Sequence, residues 1–134
     1  RPIEVRPVNP RDPMNPKVGE PIKRVWFRAN GTLPDRTSIH QYMLAYASDF
    51  HLVTTSLYPH GISGWHPQMQ VASLDHAMWF HRDFRIDDWM LYAMKSPNAC
   101  KARGFNNGKI YTRQGKLVAS VCQEGLIRYR DVKK

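Results

Sequence analysis

A single helical pattern over residues 38–57 constrains the fold of this chain more than any other feature. Apolar residues recur in it at spacings of three and four, the period of an amphipathic helix with one buried face. Ser38 and Gln41 have the spacing of a capping box, and Pro59 and Gly61 mark the end. The sequence therefore predicts one helix of about five turns, whose apolar face consists of Ile39, Met43, Tyr46, Phe50, Val53 and Leu57.

Extended segments flank this helix on both sides. Residues 22–29 have the pattern of a strand, followed by a turn at Asn30 and Gly31. After the helix, segments rich in β-branched and aromatic residues predict strands over 70–80, 89–95, 102–112 and 116–129, with a tight turn over 113–115. An antiparallel sheet of about five strands can bury such a helix by wrapping around it. This predicts an α+β fold of the hotdog type, with the long helix at its centre.

Size and composition predict a single globular domain. The 134 residues, 42% of them hydrophobic, suffice for one core. The proline-rich segment 1–21 has the composition of a linker or arm, so the domain is expected over 22–130 with a tail over 131–134. We expect no membrane span and no secretion signal. Cys100 and Cys122 are isolated, which favours reduced thiols of an intracellular protein.

The net charge of +9 indicates a polyanionic partner. The basic residues are dispersed along the chain, whereas a dedicated nucleic-acid surface usually gathers them on one face. A small ligand that carries phosphates is therefore favoured over nucleic acid. A solvated basic surface without a specific partner remains an alternative.

Several ordered blocks of sequence resemble a known family. They lie at matching spacings between about residues 22 and 128, and the linker 1–10 is also similar to the segment between the family's two domains. The family is the acyl-CoA thioesterase II family, which includes bacterial and peroxisomal enzymes, and the resemblance is to its C-terminal hotdog domain. The blocks are His40-Gln-Tyr-Met-Leu-Ala-Tyr-Ala-Ser-Asp49, Pro59-His-Gly61, Ala72-Ser-Leu-Asp-His-Ala-Met-Trp-Phe-His81, Trp89-Met-Leu-Tyr92, Ala102-Arg-Gly-Phe105 and Val121-Cys-Gln-Glu-Gly125.

The resemblance implies hydrolysis of fatty acyl-CoA to free fatty acid and CoA, with no organic cofactor and no metal. It also implies an N-terminal hotdog half as partner, and a location in the cytoplasm or the peroxisomal matrix. An open sheet leaves edge strands and an apolar flank uncovered, so we expect either that partner or a homo-oligomer. A non-catalytic half, which binds acyl-CoA or is structural and needs its partner, is the alternative function.

The position of Asp49 on the helix makes it a candidate site residue independently of the resemblance. It lies about 80° from the centre of the predicted apolar face, where an unpaired charge is costly. It is either a structural acid satisfied by hydrogen bonds or a group that exchanges a proton. The resemblance implies that Asp49 is the general base, and that Ser73 and Gln123 orient the attacking water. Taken alone, Ser73 is an ordinary strand residue, and a bulge near a strand end explains Gln123 equally well.

A second group of residues, around His76, suggests other chemistry but does not match it. His76 and His81 would point to opposite faces of one strand, which argues against a shared metal ion. A nucleophilic triad of Cys122, His76 and Asp75 lacks a recognisable motif. We therefore expect Asp75 and His76 to be structural.

Overall fold

The computed structural model describes residues 2–50 and 52–130, so the predicted tail lies outside the described residues. All its strand pairs are antiparallel and form one sheet in the order β1-β2-β5-β6-β7-β3, with β4 also pairing with β7. A helix packed against this curled sheet confirms the predicted α+β hotdog fold. The elements are β1 (Ile3–Pro7), β2 (Ile22–Ala29), α1 (Thr37–Asp49), a 3₁₀ helix (Val53–His60), β3 (Met69–Ser73), β4 (Ala77–Phe80), β5 (Met90–Cys100), β6 (Arg103–Thr112) and β7 (Leu117–Tyr129).

The described sheet has seven strands, two more than predicted. Strand β1 lies within the segment predicted as a linker or arm and pairs with β2. Prolines hide this strand from sequence patterns, but they are tolerated because β1 is at the edge of the sheet. The predicted strand over 70–80 is divided into β3 and β4, which both pair with β7. The break at 74–76 lets two short strands follow one long partner.

The prediction of a single five-turn helix is wrong. Helix α1 ends at Asp49, Phe50 is extended, and the chain continues as a 3₁₀ helix that ends at Gly61 with φ 63°. Three β-branched residues in a row, at 53–55, disfavour a continuous α-helix. The predicted capping box is also wrong, because Arg36 is the N-cap and makes no side-chain capping hydrogen bond.

The buried face of α1 is rotated from the predicted one. Tyr46 and Phe50 are 59% and 41% exposed, and their rings contact each other in an edge-on arrangement at 4.8 Å. The predicted Val53 side chain lies outside the described part. Polar residues cause the rotation, because hydrogen bonds allow them to be buried where an apolar pattern would not place them. The buried residues of α1 are His40, Leu44, Ala47 and Ser48.

Hydrogen bonds tie the buried face of α1 to the rest of the core. His40 Nε2 lies 2.9 Å from the Pro34 carbonyl oxygen, and the Ile86 amide donates to His40 Nδ1 at 3.1 Å. The buried Tyr92 hydroxyl donates to the Ser48 carbonyl oxygen at 2.8 Å, which fixes the C-terminal end of α1 against β5. No described helix is long and apolar enough to cross a bilayer.

Gly108 on β6 lies against the ring of Tyr92 and has no room for a side chain. An added Cβ would meet Tyr92 Cε1 at 2.3 Å. We expect Gly108→Ala to lower the free energy of unfolding by about 1–3 kcal/mol, because a packed core cannot absorb an extra methyl group without displacement. Denaturant unfolding measures this. The matched control is Gly64→Ala, where the nearest contact is 3.6 Å, and equal midpoints for the two variants would contradict the packing described.

Candidate active site

Three side chains from distant parts of the chain meet at the C-terminal end of α1. Ser73 Oγ donates to Asp49 Oδ1 at 3.2 Å, and Gln123 Nε2 donates to the same oxygen at 2.5 Å. Gln123 Nε2 also lies 2.9 Å from Ser73 Oγ. The structure thus brings together the three residues selected from the sequence, and each is hydrogen-bonded to the other two. Asp49, Ser73 and Gln123 form the cluster discussed below.

Helix α1 and strands β3 and β7 position the three side chains. Asp49 is the last residue of α1, and Ser73 is the last residue of β3, opposite Gly125. Gln123 lies on the inward-facing side of β7, in line with the buried Val121. Pairing between β6 and β7 is regular at Gln123, where it faces Asn106, so the alternative of a bulge is wrong. Gln123 is a polar residue at a core position.

The buried amide of Gln123 is only partly satisfied. The residue is 0% exposed, and its Oε1 has no hydrogen-bond partner among the described residues. Rotating the amide would not help, because it would place Oε1 against the carboxylate of Asp49. An unpaired buried acceptor costs about 1–3 kcal/mol, and such exceptions call for a functional explanation. Among the described residues Oε1 thus lacks a donor, as does Oδ1 of the buried Asn106 that faces Gln123 on β6.

Asp49 faces a shallow cleft of about 390 Å³. Its side chain is 50% exposed, so the described residues do not cover this carboxylate at the margin of the buried helix face. Both hydrogen bonds from the cluster go to Oδ1, and Oδ2 accepts none from the described residues. Asp49 thus keeps one oxygen directed away from its partners. The other residues that line the cleft are Ala45, Tyr46, Phe50, Ser73, Leu74, Asp75 and His76.

His76 is a neighbour of the carboxylate that the sequence did not predict. His76 Nδ1 lies 3.8 Å from Asp49 Oδ1, and His76 Nε2 lies 2.9 Å from Ser48 Oγ. The strand predicted over 70–80 concealed this contact, because the break between β3 and β4 turns His76 towards α1. In the sequence, the one signal for this contact was that His76 lies only three residues after Ser73. The structural role expected for Asp75 is confirmed, since it accepts a hydrogen bond from the Glu124 amide at 2.7 Å.

The other chemically reactive side chains lie outside this cluster. His81 Nε2 is 2.9 Å from Ser120 Oγ, and Cys100 and Cys122 are free thiols. Within residues 2–50 and 52–130, no three His, Cys, Asp or Glu side chains are close enough together to hold a metal ion. The cluster instead offers a carboxylate that can accept a proton, beside a hydroxyl and an amide that can hold a small polar molecule.

Comparison with known proteins identifies the family of this chain. The family model described as acyl-CoA thioesterase matches residues 1–126. The chain belongs to the acyl-CoA thioesterase family. It is 41% identical over 131 residues to acyl-CoA thioesterase 2 of Haemophilus influenzae, and the match covers 98% of this chain.

Solved structures agree with the family and the fold. The structure of an acyl-CoA thioesterase II of Mycobacterium marinum superposes on this chain with a TM-score of 0.83. The two are 46% identical, and the match covers 97% of this chain. A hot dog protein of Alicyclobacillus acidocaldarius shares only the fold, with a TM-score of 0.71 at 14% identity over 97% of the chain and 47% of its own. The chain spans about half the length of its relatives, 46% of the Haemophilus protein and 50% of the Mycobacterium one.

Proposed function

We propose that this chain is the catalytic hotdog half of an acyl-CoA thioesterase, which hydrolyses fatty acyl-CoA to free fatty acid and CoA. The observation that carries the proposal is the mutual hydrogen bonding of Asp49, Ser73 and Gln123 beside an open cleft. Membership of the acyl-CoA thioesterase family supports the same substrate class. The cytoplasm and the peroxisomal matrix are the compartments that fit this function.

In the proposed mechanism, Asp49 removes a proton from water as the water oxygen attacks the thioester carbonyl. Ser73 and Gln123 orient that water, because Ser73 Oγ lines the cleft beside Asp49 and the Gln123 amide holds both Ser73 Oγ and Asp49 Oδ1 in place. The new C–O bond forms, the C–S bond breaks, and the departing CoA thiolate takes the proton from Asp49. The products are a carboxylic acid and a thiol, and no covalent intermediate on the protein is required.

The surroundings of Asp49 suggest how the substrate lies. Tyr46, Phe50 and Leu74 line the same cleft and offer apolar contact to an acyl chain. The dispersed basic residues attract the phosphates of CoA. Because half of the Asp49 side chain is exposed in this chain, a second hotdog half is needed to cover the cleft and exclude bulk water from the reaction.

A non-catalytic half that only binds acyl-CoA remains the alternative. The position of Asp49 at an open cleft beside Ser73 favours the catalytic role, because a carboxylate there can reach both a water molecule and a substrate. The deciding assay is thiol release from acyl-CoA esters of several chain lengths. The protein assayed is the natural polypeptide, by which we mean the polypeptide in which this chain occurs in the cell. Hydrolysis supports the proposal, whereas acyl-CoA binding without any hydrolysis would favour the non-catalytic alternative.

Exposed rings and aliphatic side chains predict that the isolated chain pairs with another hotdog domain. They lie on α1 and directly after it, on β4 and next to β3, and the most exposed of them, Tyr42, is 76% exposed. Apolar surface of this kind is stabilised by association. We expect light scattering at micromolar concentration to give a homodimer, or a complex when the N-terminal half is added. A stable monomer under both conditions would contradict this. The residues are Tyr42, Tyr46, Phe50, Leu74, Trp79 and Phe80.

A further inference from the structure

A second and larger cavity lies apart from the Asp49 cleft. It measures about 640 Å³ and lies between the N-terminal segment 7–20, β2, the 3₁₀ helix and the loop 62–65. It shares no lining residue with the cleft. A cavity of several hundred Å³ is large enough for a small organic ligand.

The N-terminal segment is fastened over this cavity by hydrogen bonds. The Gly19 amide donates to the Tyr58 carbonyl oxygen at 2.9 Å, and Ser63 Oγ donates to the Pro13 carbonyl oxygen at 2.8 Å. The guanidinium of Arg11 stacks 3.7 Å from the centre of the Tyr58 ring. The segment thus forms a fixed wall, attached both to the 3₁₀ helix and to the following loop.

Lys23 forms the polar end of the cavity. Its Nζ donates to Thr54 Oγ1 at 2.7 Å and lies 5.2 Å from the centre of the Tyr58 ring. Burial lowers the pKa of Lys23 to about 7, and the positive charge of Arg11 acts in the same direction. At neutral pH this amine is therefore partly uncharged, and an anion placed beside it would restore the charge.

The remaining charges around the cavity are mixed, with a positive excess. Segment 7–20 contributes Arg11, Asp12, Lys17 and Glu20, and β2 contributes Arg24 in addition to Lys23. Burial raises the pKa of Tyr58, so its hydroxyl is neutral at pH 8. The loop 62–65 brings no charge. A single anionic group fits this balance better than a cation or a highly charged ligand.

Part of the wall is apolar. Ile22, Leu57, Ile62 and Trp65 line the cavity, so a ligand that satisfies both ends has an anionic head and a hydrocarbon chain. We propose that this cavity binds a fatty carboxylate, with its head group on Lys23 and Arg11 and its chain along the apolar wall. The inference goes beyond the proposed function, and binding can be measured without turnover.

Calorimetry of dodecanoate binding to the natural polypeptide tests the proposal. At pH 8, in two buffers of different ionisation enthalpy, we expect uptake of about 0.5–0.9 proton per site, because the anion raises the pKa of a lysine that is mostly neutral beforehand. At pH 5.5 Lys23 is already charged, and the uptake should vanish. A second dodecanoate bound as product at the Asp49 cleft would not involve Lys23, so the part of the proton uptake that Lys23 variants remove identifies the site.

Two variants of Lys23 distinguish the effect of its positive charge on affinity from the uptake of a proton on binding. Lys23→Met should weaken the proton-linked binding by about tenfold or more and abolish the uptake. Lys23→Arg should keep the affinity but also abolish the uptake, because arginine stays charged. The matched control is Lys95→Met, an exposed lysine on β5, which should change neither. If Lys23→Met does not fold, the arginine variant still decides.

Four results would overturn the proposal. They are dodecanol binding as tightly as dodecanoate, inorganic phosphate displacing dodecanoate at equal concentration, proton uptake that persists in Lys23→Arg, and the absence of proton-linked binding to the wild type. The first would indicate an apolar cavity without head-group recognition. The second would indicate an anion site that ignores the chain.

Discussion

Asp49→Asn is expected to lower the turnover of acyl-CoA esters by about 10² or more while their affinity stays nearly the same. Asparagine keeps the shape of the side chain and can still accept hydrogen bonds from Ser73 and Gln123. It cannot accept the proton of the attacking water. The loss should therefore appear in kcat rather than in binding.

Thiol release by the natural polypeptide measures this effect, and titration with the variant measures acyl-CoA affinity. Asp75→Asn is the matched control, since Asp75 lines the same cleft but accepts its hydrogen bond from the backbone of Glu124. The control should retain most of its activity. Hydrolysis by Asp49→Asn at the full rate would contradict the assignment of the base.

Removal of the Gln123 amide should have the next largest effect, a loss of roughly 10- to 100-fold in turnover. Gln123 Nε2 bonds to both Asp49 and Ser73, so its loss frees the two groups that face the attacking water. Ser73→Ala should cost less, because it leaves this amide in place. Each should cost less than the loss of the base, since one water-orienting group remains in either case.

Two variants distinguish a loss of chemistry at Gln123 from a loss of packing. Gln123→Ala leaves a cavity in the core, whereas Gln123→Met keeps most of the volume and removes only the polar atoms. We expect both to be slow in the thiol-release assay. Gln70→Ala is the control, because this glutamine on β3 bonds to Arg130, outside the cluster. Wild-type turnover by Gln123→Met would contradict the role of the amide.

The sequence predicted the cluster more successfully than its surroundings. Asp49 could be selected from its position on the helix, but Ser73 and Gln123 required the family resemblance, because they lie 24 and 74 residues from Asp49 along the chain. Spacing within a segment carries no information about partners so far apart. The unpaired Oε1 of Gln123 depends on packing and could not be predicted at all.

The helix shows why its buried face could not be derived from periodicity. The period of α1 fixes the angles between side chains, but the side that faces the sheet is set by hydrogen bonds of His40 and Ser48 to residues outside the helix as well as by apolar contact. A count of apolar residues omits such polar groups. The exposure of Asp49 was missed for the same reason. Strand β1 was not predicted because the alternation of apolar and polar residues that marks a strand is too short to recognise in a segment rich in proline.

The most direct test of the central claim, that Asp49 acts on water and not on the thioester itself, is a single turnover in H₂¹⁸O. Excess natural polypeptide is mixed with acyl-CoA, and mass spectrometry follows the released acid and the peptide that contains Asp49. We predict one ¹⁸O atom in the carboxylate of the acid and none in the peptide. Label in Asp49 would show that its carboxylate attacked the carbonyl and formed an anhydride, and would contradict the account.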